Sequence, residues 1–124
     1  MSKKILIVDD DPIVVRMVQS VLKNHDYEVV AASDGLDALV AVKNEKPQLV
    51  ILDVMMPEIN GYDVCYQLRF NKDYEKIPIL LMTIRDQELD SGLGKRVNIA
   101  YLQKPIDGKM LVAKIEMLLG KTSG

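Results

Sequence analysis

Tryptophan is absent from this 124-residue chain, and cysteine, histidine and phenylalanine occur once each. A lone Cys65 cannot close an internal disulfide, so a disulfide-stapled secreted scaffold is excluded and a cytoplasmic setting is expected. The single histidine, His25, reads as a solvated helix-end residue rather than a phosphocarrier. No apolar run approaches the ~20 residues that a membrane helix requires, so no membrane partner is expected. Met1-Ser2-Lys3-Lys4 passes directly into a short apolar run without a signal-peptide cleavage pattern. Charge of one sign is also lacking: the net charge of −2 supplies no bulk electrostatic grip on nucleic acid or anionic lipid. Internal repeats and low-complexity segments are missing too. What remains is a globular balance, 48% hydrophobic and 27% charged, in a length that fits one domain with a sizeable core.

Hydrophobic periodicity switches repeatedly along the chain. Lys4–Val8 reads as strand one. Pro12 to about His25 reads as helix one, with Val14, Met17, Val18 and Val21 on the face toward the sheet and Asp11 as its N-cap before proline. Glu28–Ala31 is a second strand, Ser33–Glu45 a second helix and Leu49–Asp53 a third strand. An Asn60-Gly61 turn signal opens helix three, which runs to about Phe70. Pro78–Thr83 is strand four. Asp86–Arg96 is a helix four diluted by Gly92 and Gly94. Ala100–Gln103 is strand five, and Asp107–Leu119 is helix five. Five β-α units with continuous apolar strands predict a doubly wound, flavodoxin-like α/β fold: a five-stranded parallel sheet in the order 2-1-3-4-5, with helices on both faces. Residues 1–120 form the expected domain, and 121–124 a disordered tail.

The strands end in chemistry. Strand one runs into Asp9-Asp10-Asp11, strand three into Asp53, strand four into Thr83, and strand five into Lys104-Pro105. In that strand order, Asp9 and Asp10 lie beside Asp53, with Thr83 and then Lys104 following. Clustered carboxylates cannot all stay ionised unaided, and a hard divalent cation such as Mg²⁺ resolves the conflict with oxygen ligands. A lysine and a threonine opposite complete a phosphate cradle. The set describes phosphoryl transfer to or from a carboxylate.

The runs Ile5-Leu6-Ile7-Val8-Asp9-Asp10-Asp11-Pro12, Leu52-Asp53-Val54-Met55-Met56-Pro57-Glu58-Ile59-Asn60-Gly61, Leu81-Met82-Thr83 and Tyr101-Leu102-Gln103-Lys104-Pro105 carry a resemblance. Over nearly the whole chain, Lys3 to about Leu119, the sequence resembles a receiver domain of bacterial two-component response regulators. The resemblance implies that Asp53 is a phosphoacceptor fed by a sensor histidine kinase or a histidine phosphotransfer protein. It implies that Mg²⁺, with Mn²⁺ as a substitute, is held by Asp10, Asp53, the Met55 carbonyl and, through water, Asp9. Thr83 would bond the phosphoryl oxygen, and Lys104 would pair with Asp53 or its phosphate. The Lys104-Pro105 bond would be cis. Tyr101 would turn inward as Thr83 moves, switching the helix four–strand five–helix five face. The implied molecule is a signalling domain, not an enzyme acting on a separate substrate, and a phosphorylation-dependent homodimer is a further expected state.

The sequence departs from the family pattern where a small residue usually follows the threonine, because Ile84 is bulky. With Met55, it is expected to crowd the route to Asp53, while Arg85 pairs with the phosphoryl group. A Gly-Ala pair is replaced in Arg96-Val97-Asn98-Ile99-Ala100, where Asn98 is expected to supply the left-handed backbone. Ile13 and Val15 flank the buried stripe of helix one and are expected to dock the phosphodonor. Three competing readings remain. An interaction module independent of phosphorylation is one. A small haloacid-dehalogenase-like phosphatase, using the Asp9–Asp11 spacing, is another. A flavodoxin is the third, although Asp9-Asp10-Asp11 would repel a flavin phosphate. No effector domain is expected within these residues.

Overall fold

A computed structural model of the chain describes residues 3–56, 60–84 and 98–120. The elements are β1 (Lys4–Val8), α1 (Pro12–Lys23), β2 (Glu28–Ala32), α2 (Gly35–Glu45), β3 (Leu49–Asp53), α3 (Gly61–Arg69), β4 (Ile79–Thr83), β5 (Ile99–Gln103) and α4 (Gly108–Leu118). The segment read from sequence as helix four, residues 86–96, lies outside the described residues. So do Arg85 and the tail at 121–124. The element named α4 is therefore the fifth helix of the sequence reading.

The five strands pair in parallel in the order β2-β1-β3-β4-β5, as expected. Val8 stands beside Ala32 on one side and Leu52 on the other, and Asp53 stands beside Met82. Thr83 stands beside Gln103. Successive side chains along each strand point to opposite faces. Leu6, Val8, Val50, Leu52, Ile79 and Leu81 join Val42 of α2 and Val64, Cys65 and Leu68 of α3 in one core layer. Ile5, Ile7, Leu49, Ile51, Leu80 and Met82 join Val18 and Leu22 of α1 and Leu111 and Ile115 of α4 in the other. Both faces are dry, which is why β1, β3 and β4 read as unbroken apolar runs rather than alternating ones. Each fully buried Leu or Ile contributes about 2 kcal/mol of transfer free energy, so these three central strands anchor both core layers.

Side-chain caps set the helix starts. Asp11, Asp34, Asn60 and Asp107 each accept a backbone N–H from the first turn that follows. Asp34 rather than Ser33 caps α2, so this helix begins two residues later than expected, at Gly35. It closes on Lys46, whose φ of 49° is left-handed, immediately before Pro47. Asn98 has φ 66°, as anticipated, and the Lys104-Pro105 bond is cis.

One packing expectation fails. Met17 does not face the sheet; it is 36% exposed, while Leu22 is fully buried in its place. The cause is that α1 packs against α4 as well as the sheet. Val21 sits so close to Gly108 that an added Cβ there would lie 3.3 Å from Val21 Cγ2. The covered face is accordingly centred on Val18 and Leu22, with Val14, Val15 and Val21 half-buried at its margins. No helix among the described residues is long and apolar enough to cross a membrane.

Candidate functional site

Among the described residues, the buried polar or charged side chains are Asp9, Asp53 and Thr83. All three lie at the carboxyl ends of central strands, where open α/β sheets place their sites. Apolar strands carry them inward, so each must find its partners locally.

The Asp9-Asp10-Asp11 run divides its labour. The Asp9 backbone N–H extends the β1–β2 ladder to Ala32 O at 3.2 Å, which holds its side chain inside. Asp9 Oδ1 then accepts the Asp11 N–H at 2.9 Å. Asp11 faces outward and caps α1 by accepting the Ile13 N–H at 2.9 Å. Asp10, between them, is exposed.

Asp53 is 5% exposed. Its Oδ1 accepts the Met55 N–H at 3.2 Å, and the next residue continues the ladder, Val54 N donating to Met82 O at 3.0 Å. The chain returns over this strand end at Gly61. An added Cβ at Gly61 would collide with the Asp53 carbonyl oxygen and lie 2.9 Å from Val54 Cα, so only glycine fits. The Asn60-Gly61 pair signals a turn in the sequence; that Gly61 rests on the backbone of Asp53 is visible only in the fold.

Lys104 follows β5 and is tied by its own N–H to Thr83 O at 2.7 Å. Its Nζ lies 3.0 Å from Asp9 Oδ2 and 3.4 Å from Asp53 Oδ2. The expected Asp53 partner is present, yet the shorter contact is to Asp9. Burial pushes the Asp53 carboxyl above the ordinary aspartate value, with the Asp9 charge adding to the rise and the Met55 N–H and Lys104 opposing it. Burial alone would lower the Lys104 ammonium, but the hydrogen bond to Asp9 and the charges of Asp53 and Asp9 outweigh it and raise the group.

Carboxylate oxygens of Asp9, Asp10 and Asp53 all lie within 4.8 Å of one another. Three carboxylates thus face one ammonium, an excess of two negative charges in an all-oxygen donor set. That chemistry fits a hard divalent cation, and the exposed Asp10 leaves the cluster open to solvent for retained water ligands.

Around the cluster, Met55 is 57% and Ile84 59% exposed, and Ile13 is 77% exposed at the start of α1. Val15 is only half-buried and packs at the margin of the α1–α4 core. Tyr101 is buried, packed in the α2–α3 core layer and paired in register with Leu81; its ring is already inside. Arg85 lies outside the described residues. Sequence reasoning gave no role to Arg69, whose Nη2 donates to Ile77 O at 2.7 Å and Asn98 O at 3.1 Å. That link ties α3 to the entries of β4 and β5, and nothing in the local pattern around Arg69 signals it.

A family model described as the response regulator receiver domain matches residues 5–116. The chain is 40% identical over 123 residues to the alkaline phosphatase synthesis transcriptional regulatory protein PhoP of Bacillus subtilis, covering 98% of this chain and 50% of that protein. It is 36% identical over 117 residues to protein PilH of Pseudomonas aeruginosa, covering 94% of this chain and 97% of PilH. The chain thus spans half the length of one relative and nearly all of the other. Among solved structures, the chemotaxis response regulator CheY4 of Vibrio cholerae superposes with a TM-score of 0.86 at 29% identity, covering 95% of this chain and 99% of that one.

Proposed function

This chain belongs to the response regulator receiver domain family, and on that premise we propose that it accepts a phosphoryl group on Asp53 and relays that event to a partner surface. The observation that carries the reading is the buried Asp53 carboxylate, with Lys104 Nζ at 3.4 Å and the Asp9 and Asp10 carboxylates beside it.

A carboxylate oxygen of Asp53 attacks the phosphorus of a phosphohistidine on a histidine kinase or phosphotransfer protein. The new P–O bond forms as the P–N bond breaks, and the freed imidazole takes up a proton from solvent. Asp10 and Asp53, the Met55 carbonyl and, through water, Asp9 are the groups that would hold Mg²⁺ or Mn²⁺. Such an ion, when bound, would supply positive charge for the phosphoryl oxygens. Lys104, already a bridge between two carboxylates, supplies the remaining positive charge. Thr83 offers its hydroxyl to a phosphoryl oxygen. Tyr101, one strand over, responds to where Thr83 sits, so the event reaches the face formed by β5 and α4.

Residues 1–120 act as one signalling unit in the cytoplasm, with no direct contact to nucleic acid and no catalysis on a separate substrate. Ile13 is the proposed anchor for the phosphodonor, with Val15 on the other flank of the buried stripe. A phosphorylation-dependent homodimer is the proposed assembly. Incubation with Mg²⁺ and acetyl phosphate should add one phosphoryl group by intact mass, and Asp53→Asn should abolish it. Modification that persists in Asp53→Asn places the acceptor elsewhere and ends this reading.

A further inference from the structure

The amino ends of the strands, opposite the carboxylate cluster, border an open cleft of about 380 Å³. Its apolar lining is Ile77 and Pro78, at the entry to β4, and Leu118 and Leu119, at the end of α4. These four side chains are only half-buried. Its lysines are Lys3, before β1, and Lys72 and Lys76, in the α3–β4 connection. The one acid in the lining is Asp73, so the cleft carries a net charge of +2 in a chain whose net charge is −2.

These lysines differ from their neighbour Lys4. Lys4 Nζ is neutralised by Glu45 at 3.2 Å and Glu28 at 3.7 Å. Among the described residues, Lys3, Lys72 and Lys76 make no ion pair. Three ammonium groups against one carboxylate, around an apolar floor, form a surface complementary to carboxylates that flank an apolar side chain. A polyphosphate chain would use the charge and leave the apolar floor uncovered; an aliphatic segment would use the floor and leave the charge unmatched.

We propose that this cleft docks an acidic peptide segment of a protein partner, seating one apolar side chain on Ile77, Pro78, Leu118 and Leu119 while carboxylates meet Lys3, Lys72 and Lys76. The cleft lies at the far end of the sheet from Asp53, so docking there leaves the phosphoacceptor accessible. The receiver can then be held by one partner while it exchanges phosphate with another.

The test uses the full chain, labelled with ¹⁵N, titrated with a short amidated peptide that carries one leucine flanked by glutamates. Amide shifts confined to Lys3, Gln48, the 72–77 connection and Leu118–Leu119 are expected, weakening as salt is added. A control peptide with serine for leucine, and one with lysines for glutamates, should each bind at least about tenfold more weakly. Lys72→Glu with Lys76→Glu should weaken the first peptide by about tenfold while phosphorylation by acetyl phosphate proceeds at the parent rate. Four results overturn the proposal: no shifts at millimolar peptide, shifts at another surface, equal binding of the control peptides, or tighter binding of a single-stranded oligonucleotide than of the acidic peptide. Preserved phosphorylation in the double variant shows that it is folded, so lost peptide binding is not a folding failure. Failure of peptide binding leaves the Asp53 chemistry standing, and failure of phosphorylation leaves the cleft standing.

Discussion

Lys104, at the end of β5, donates to Asp9, at the end of β1, at 3.0 Å, although β3 and β4 lie between their strands. One long side chain thus closes the carboxyl end of the sheet and neutralises a carboxylate that has no exposed side-chain surface. Removing the cation while keeping the acids leaves buried charge uncompensated, the costly direction. Lys104→Met should lower stability by about 2 kcal/mol in urea unfolding, below the range for fully buried pairs because Lys104 is partly solvated. It should also slow phosphorylation by acetyl phosphate. Unchanged stability would mean that solvent, not Lys104, satisfies Asp9.

The opposite sign is expected at Asp53. Its carboxyl titrates above the ordinary aspartate value because it is buried. A folded state that holds the proton more tightly than the unfolded chain loses stability as pH rises through that window. Asp53→Asn should therefore raise Tm by a few degrees at neutral pH. The gain should shrink as pH falls toward and below the ordinary aspartate range, where Asp53 is protonated. A Tm difference independent of pH would point to packing rather than charge.

At Gly61 two effects compete. Alanine in the first turn of α3 would gain about 1 kcal/mol of helix propensity. Against that, its Cβ would press on the Asp53 carbonyl and Val54 Cα, backbone atoms that cannot rotate away, a clash of about 1–3 kcal/mol or more. The clash should win. Gly61→Ala should reduce stability and phosphorylation together, because the displaced strand end carries Asp53. A variant with reduced stability and normal phosphorylation would show that α3, not β3, gives way.

Ile84 is more than half exposed beside the site. As a bulky side chain near the path of water, it should slow loss of the phosphoryl group. Ile84→Ala should speed decay of the isolated phosphoprotein about threefold, a barrier change of about 0.7 kcal/mol. An unchanged or slower decay removes steric shielding as the control.

Ile13 and Val15 separate once their burial is known. Ile13→Glu changes an exposed side chain and should slow transfer from a phosphorylated histidine partner while sparing acetyl phosphate. Val15→Glu strikes half-buried packing and should cost stability as well. Equal loss with both donors in Ile13→Glu would assign the effect to the site rather than to docking.

The strands were legible in the sequence because burial on both faces leaves no polar interruption, as in Ile5-Leu6-Ile7-Val8 and Leu49-Val50-Ile51-Leu52. Their chemical ends were legible because Asp9, Asp53 and Thr83 each break such a run, and Lys104 follows the strand that ends at Gln103. The stripe of α1 was misjudged at Met17, since periodicity fixes a spacing but not which of two neighbours, sheet or α4, sets the rotation. The pairing of Lys104 with Asp53 was legible, but its shorter contact with Asp9 was beyond the sequence. Asp9 and Asp53 are chemically alike, and which one lies nearer depends on the twist of four strands. Arg69 needed the fold outright, because its acceptors are backbone carbonyls 8 and 29 residues away.

The end of β4 is fastened on both sides. Met82 O accepts from Val54, and Thr83 O accepts from Lys104 at 2.7 Å. A backbone excursion of Thr83 would therefore drag the ammonium off two carboxylates and break a ladder bond. Rotation about the Thr83 Cα–Cβ bond disturbs neither. The end of β4 is in this sense a fixed bearing, and a change at Thr83 that keeps both bonds is a change of its side-chain rotamer.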